Sequence, residues 1–138
     1  MLHLFKVYLA TGFTMAVIDA IWLGFIAAKF YRPRLDTVSR QNTGKPFSPK
    51  WSTTILVYVI LVLGIMIFVL PRVDGAPFLD VVVAGAWYGL IVYGVYDLTN
   101  YSTLKGMSIN LVLIDIAWGA ALCSFAALAA VWFNQFFN

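Results

Sequence analysis

Glutamate is absent from this 138-residue chain, and cysteine and histidine occur once each, as Cys123 and His3. One cysteine excludes an intrachain disulfide and a cysteine-based metal centre. One histidine, next to the N-terminus, excludes a histidine cluster within the chain. No metal and no cofactor are therefore expected. Charge is also scarce, at 11% of residues against a globular norm of roughly 25%. In its place the chain carries 62% hydrophobic residues and a mean hydropathy of +0.89. A soluble domain of this length has too little interior to hide so much apolar surface. Lipid must be the solvent for much of it.

The net charge of +3 does not point to nucleic acid, because the bases are not spread along a binding face. Lys29, Arg32, Arg34, Arg40, Lys45 and Lys50 gather in one segment between apolar runs. The partner this implies is the lipid bilayer.

About 20 apolar residues in a helix cross a bilayer core of ~30 Å. Four runs qualify, at 7–28, 53–70, 78–100 and 107–133, the second stopped by Pro71. The runs are long and lack strict alternation, which argues against a β-barrel. The fold expected is an all-α integral membrane protein, a four-transmembrane-helix bundle forming a single membrane domain over 1–138. Asp19 sits in the middle of the first run, so that run reads as a retained span and not as a cleaved leader. A basic loop at 29–52, with a short interfacial helix near 30–38, joins spans one and two.

Seven bases fall on one side of the membrane, the six above plus Lys105, against Lys6 and Arg72 on the other. The positive-inside rule then places the basic loop in the cytoplasm and both termini on the periplasmic or extracellular side of an inner membrane.

Depth follows from the 1.5 Å rise of a helix. Asp19 lies ten residues before Lys29, and Asp115 ten residues after Lys105. Each is about 15 Å from the same membrane face. Asp97 is closer to it, about 5 Å from Asn100. A carboxylate at depth costs about 2.5–3.5 kcal/mol on insertion scales, so such groups are paired, protonated or facing water. Two of them that face each other, such as Asp19 and Asp115, can share one proton.

Three motifs gather the polar residues: "IDAIWLG" in span one, "YDLTNYSTLKG" at the end of span three and "IDIAWG" in span four. In the first and last, Asp is followed at i+3 by Trp, which puts Asp19 with Trp22 and Asp115 with Trp118 on one helix face. Each indole N–H can donate to a carboxylate of the other helix. Because the two spans run in opposite directions, the two indoles point away toward opposite faces. The middle motif places Asp97, Asn100 and Lys105 at the mouth of the resulting pocket, with Tyr93 and Tyr96 beside it. Its hydroxyl and amide residues, with Ser108 and Asn110, are expected to cap helix ends.

Packing is legible in small residues. Gly12, Ala16, Ala20, Gly24 and Ala28 form a stripe on span one. Gly85 and Gly89 form a GxxxG on span three, continued by Tyr93 and Asp97. Gly119, Ala120, Cys123, Ser124 and Ala127 line span four. Such residues let helix backbones approach closely. Span two has no deep ionisable group and is rich in Ile, Leu and Val, so spans one, three and four are expected to form the core, with span two facing lipid.

The same three motifs, in this order and with this span count, resemble the small bacterial membrane proteins of domain-of-unknown-function family 2177. The likeness runs over essentially the whole chain. Met107 stands where the family commonly has a tryptophan or similar large residue after the glycine. The resemblance implies the fold and no reaction; members of the family tend to be encoded near lipid-modifying enzymes in bacteria. The functions expected are binding or transport of a small amphiphile or lipid, in proton exchange and as a homodimer. The alternatives are an enzyme or accessory subunit of lipid modification, and a structural subunit of a membrane complex. The residues on which a ligand or proton is expected are Asp19, Trp22, Tyr93, Tyr96, Asp97, Asn100, Lys105, Asp115 and Trp118. No nucleophile–base pair supports naming a catalytic residue.

Overall fold

A computed structural model describes residues 1–27, 29–31 and 50–138. Most of the basic loop, including the interfacial helix expected near 30–38, lies outside these residues. Among the described residues, four helices are long and apolar enough to span a membrane: α1 (Leu2–Ile26), α2 (Trp51–Val73), α3 (Phe78–Thr103) and α4 (Ile109–Phe137). No strand occurs among the described residues.

Helix α4 is central. It packs along α3 on one side and α1 on the other, while α2 slants across the bundle. The first half of α2 touches α1, and its last turns reach α4 and α3. Between lipid-exposed helices the hydrophobic effect supplies little drive, so close packing and hydrogen bonds hold the bundle. The α3–α4 contact rests on the GxxxG. A Cβ added at Gly85 would lie 2.6 Å from the Cys123 carbonyl oxygen, and one at Gly89 2.1 Å from that of Gly119. The backbones touch there because neither position has a side chain. Ser124 Oγ lies 2.9 Å from the carbonyl oxygens of both Val82 and Ala120, tying α4 to α3 and to its own preceding turn.

Three expectations are corrected. First, α2 belongs to the core. Leu61, Val62, Ile65, Val69, Leu70 and Val73 are buried, packed in the same cluster as Val7 and Met15 of α1 and Leu122 of α4. Aliphatic residues suit lipid and protein interior equally, so composition alone cannot choose between them. Second, α2 does not stop at Pro71. Its turn over Ile65–Val69 widens to i→i+5 bonding, and the helix continues through Pro71 to Val73. Proline lacks an N–H and crowds the carbonyl four residues earlier; a loosened preceding turn relieves both.

Third, the buried line on α1 is Val7, Thr11, Met15 and Asp19, not the small-residue stripe. Gly24 has no atom within 4 Å of an added Cβ. Small residues permit close approach but do not compel it, whereas buried polar groups such as Asp19 need partners.

The two described turns are short. Gly75 (φ 78°) serves the turn from α2 to α3, and Gly106 (φ 88°) the turn from α3 to α4. At the second, side-chain capping does not occur. Ser108 is the N-cap residue of α4 without a side-chain bond. Ser102 and Thr103 instead donate back to the Thr99 carbonyl, at 2.8 and 2.9 Å.

Candidate functional site: a carboxyl cluster inside the bundle

Three carboxyl groups converge between the helices. Asp19, buried on α1, accepts at both oxygens, from the Tyr58 hydroxyl of α2 at 2.5 Å and from the Trp118 indole N–H of α4 at 2.8 Å. One residue thus joins three helices. Asp115 of α4 accepts from the Tyr31 hydroxyl at 2.6 Å. Asp97 of α3 is 1% exposed, and its carboxyl lies within hydrogen-bonding reach of Asp115. Asp97 Oδ2 has no hydrogen-bond partner. The carboxyls that meet are Asp97 and Asp115, not Asp19 and Asp115 as expected. Helix α3 runs on to Thr103, which sets Asp97 six residues, about 9 Å, inside its end.

The aromatic residues fill the space between. The Trp22 and Trp118 rings stack at 4.2 Å with 6° between planes. Indoles three residues beyond their aspartates, on antiparallel helices, meet face to face; they do not point to opposite faces. Only one of the two expected indole bonds forms. Trp118 reaches Asp19, while Trp22 Nε1 is buried without a partner. The Tyr93 ring sits over Gly119, where an added Cβ would lie 2.2 Å from Tyr93 Cγ. The stacked indoles and the Tyr93 ring thus pack among the carboxyls.

Tyr31 enters from outside the spans. Past the aspartate, the Trp22–Ile26 turn of α1 is also i→i+5 bonded, with Ala27 N–H donating to the Trp22 carbonyl at 2.8 Å. Phe30 and Tyr31 N–H then both bond to the Ala27 carbonyl. This winding turns the Tyr31 phenol back over the N-terminal end of α4. Burial first, and then the neighbouring Asp115, push that phenol well above its ordinary range, so it remains a donor. Tyr31, Ala27 and Leu111 form a small core separate from the main one, with Trp22, Phe30 and Met107 packed against it.

Six of the nine residues named from sequence come together: Asp19, Trp22, Tyr93, Asp97, Asp115 and Trp118. Tyr96 does not join them; it is 64% exposed on the lipid-facing side of α3. Lys105 is exposed in the turn. Asn100 is half-buried at the end of α3, where its carbonyl accepts from the Leu104 N–H at 2.8 Å. Sequence reasoning missed Tyr58 and Tyr31. Tyr58 is the one hydroxyl-bearing residue between Ile55 and Leu70, eight residues from Lys50. That places it at a depth of about 12 Å, near that of Asp19, and this would have flagged it. Tyr31 lay among the loop bases and carried no comparable signal.

Among the described residues no group of three or more histidine, cysteine or acidic side chains has the arrangement to hold a metal ion. A second polar chain lies at the opposite end of the bundle. His3 Nε2 is 2.7 Å from Asn134 Oδ1, and Asn134 Nδ2 donates to Asp74 Oδ2 at 2.9 Å.

Compared with known families, residues 4–132 match the model described as "Predicted membrane protein (DUF2177)". No curated protein and no solved structure gives a match.

Proposed function

This chain belongs to the DUF2177 family of predicted membrane proteins, and on that premise we infer that its carboxyl cluster binds a proton and couples it to binding or transport of a small amphiphile or lipid. The observation that carries this reading is the Asp97–Asp115 pair. Two carboxyls lie within hydrogen-bonding reach in a membrane interior, and one oxygen is buried without a donor. No lysine or arginine among the described residues bonds to any of the three carboxyls. Adjacent buried carboxylates repel, and lipid penalises each charge. One shared proton relieves both costs. Losing and regaining that proton changes the charge at the centre of the bundle, which is what proton-coupled exchange requires.

Asp19 has a different role in this reading. With both oxygens satisfied by donors from two other helices, it locks the bundle in place. The cluster lies nearer the basic-loop end of the bundle, and the charge bias of the loops supports a cytoplasmic side of an inner membrane for that end.

The test is uptake of an amphiphile panel into proteoliposomes carrying a pH gradient. Uptake that depends on the gradient and is lost in Asp97→Asn and Asp115→Asn is expected. Gradient-independent uptake, or uptake unchanged in both variants, refutes the coupling.

A further inference from the structure

We propose that the inner end of the cluster is a binding site for the hydroxyl headgroup of an amphiphile, and that Tyr31 occupies this site as an internal stand-in. This rests on the reading that the cluster binds an amphiphile, and it names the class. With the Asp97–Asp115 pair deprotonated, two polar atoms here are buried without partners: the acceptor Asp97 Oδ2 and the donor Trp22 Nε1. They flank the Tyr31–Asp115 hydrogen bond. Asp97 lies beside Asp115, and the Trp22 indole N–H is directed at the Tyr31 phenol but falls short of full hydrogen-bond geometry. Leaving such groups unpaired costs about 1–3 kcal/mol each, so a ligand that supplies both partners gains from both.

The hydrogen-bond inventory selects the headgroup. An ammonium only donates; it is attracted by the carboxyls and satisfies Asp97, but it must shed its hydration and leaves Trp22 unpaired. A carboxylate or phosphate only accepts; it suits Trp22 and adds negative charge beside three carboxyls. A hydroxyl donates and accepts. The phenol of Tyr31 already shows this chemistry, donating to Asp115 at 2.6 Å. Apolar walls for the body of such a molecule are at hand in Ala27, Phe30, Met107 and Leu111, the small core that is separate from the rest of the bundle.

The experiment uses the full chain in lipid nanodiscs, with Trp51, Trp87 and Trp132 replaced by Phe so that Trp22 and Trp118 report. Terminally brominated undecanol, undecylamine and undecanoate share one chain and differ only in headgroup; bromine quenches nearby indoles. Saturable quenching by the alcohol, about tenfold tighter than by either charged analogue, is expected. Tyr31→Phe, which loses the phenol's bond to Asp115, should bind the alcohol more tightly. Trp22→Phe, read from Trp118, should bind it more weakly. A tighter Tyr31→Phe complex is a signature of competition that a merely structural tyrosine does not give.

Equal quenching by all three probes, preference for a charged probe, or unchanged affinity in both variants overturns the proposal. Proton-linked uptake of an amine together with such a result would leave the proposed function standing and this inference fallen. Saturable alcohol binding without any proton coupling would do the reverse.

Discussion

Replacing Tyr58 by phenylalanine removes a single oxygen from the bundle and tests whether Asp19 holds three helices together. The ring stays, so packing is preserved, but Asp19 Oδ2 loses the donor it has at 2.5 Å. Asp19 is 8% exposed, so water cannot freely replace it. A hydrogen bond to a charged group is worth roughly 1.5–3 kcal/mol, against about 1 for a neutral one. Hydrogen bonds between membrane helices average nearer 0.6 kcal/mol, because the unfolded chain in lipid also finds partners.

The internal control is Tyr88→Phe, since Tyr88 donates to the Leu61 backbone carbonyl at 3.1 Å, and backbone carbonyls in a helix already have a partner. Reversible unfolding in mixed micelles, followed by tryptophan fluorescence, should show Tyr58→Phe destabilised by about 1.5 kcal/mol or more and Tyr88→Phe by well under 1. A double-mutant cycle of Tyr58→Phe with Asp19→Asn should give a coupling of about 1 kcal/mol. Equal losses in the two tyrosine variants, or a coupling near zero, would show that the bond does not hold the bundle.

Other outcomes follow from the packing. Gly89→Val should prevent normal α3–α4 contact, because an added Cβ would meet the Gly119 carbonyl at 2.1 Å and backbone cannot yield as a side chain does; overpacking costs about 1–3 kcal/mol or more, visible in the same unfolding assay. Gly94→Ala, with nothing within 4 Å of its Cβ, should be neutral or slightly stabilising by the helix preference of alanine, up to about 1 kcal/mol. Cys123, fully buried, should resist a water-soluble maleimide until the protein is unfolded, when labelling becomes complete. Asn134→Ala should cost about 1 kcal/mol and raise hydrogen exchange at the ends of α1 and α4, since it cuts the links to His3 and Asp74.

Some of the site could be read from the chain before any coordinates. The spacing of Asp19 and Asp115 from the flanking bases places both at one depth, and the paired Asp-x-x-Trp motifs anticipate an indole donating to a carboxylate on the other helix. Trp118 and Asp19 make that bond. The GxxxG of α3 announced a backbone contact, and Gly85 and Gly89 provide it. What escaped was partner choice. Asp115 faced two carboxyls, and Asp97 won because both Asp19 oxygens are taken by Tyr58 and Trp118 and α4 packs more extensively on α3 than on α1. Tyr96 neighbours Asp97 in sequence yet points to lipid, since adjacent helix positions lie about 100° apart.

The amino-acid sequence alone determined the class and the layout: four apolar runs, their topology relative to one another, and three carboxyls at the same end of the membrane. Hydropathy and the helical rise suffice for that, because both depend on composition and distance along the chain. The tertiary structure decided which groups touch. It brought Tyr58 from a helix with no ionisable residue near its middle, wound Tyr31 back from beyond the first span, stacked the two indoles, and left Asp97 Oδ2 and Trp22 Nε1 unpaired. Those outcomes depend on helix rotation and crossing, and in lipid these are set by close packing between helices, which no single run of residues encodes.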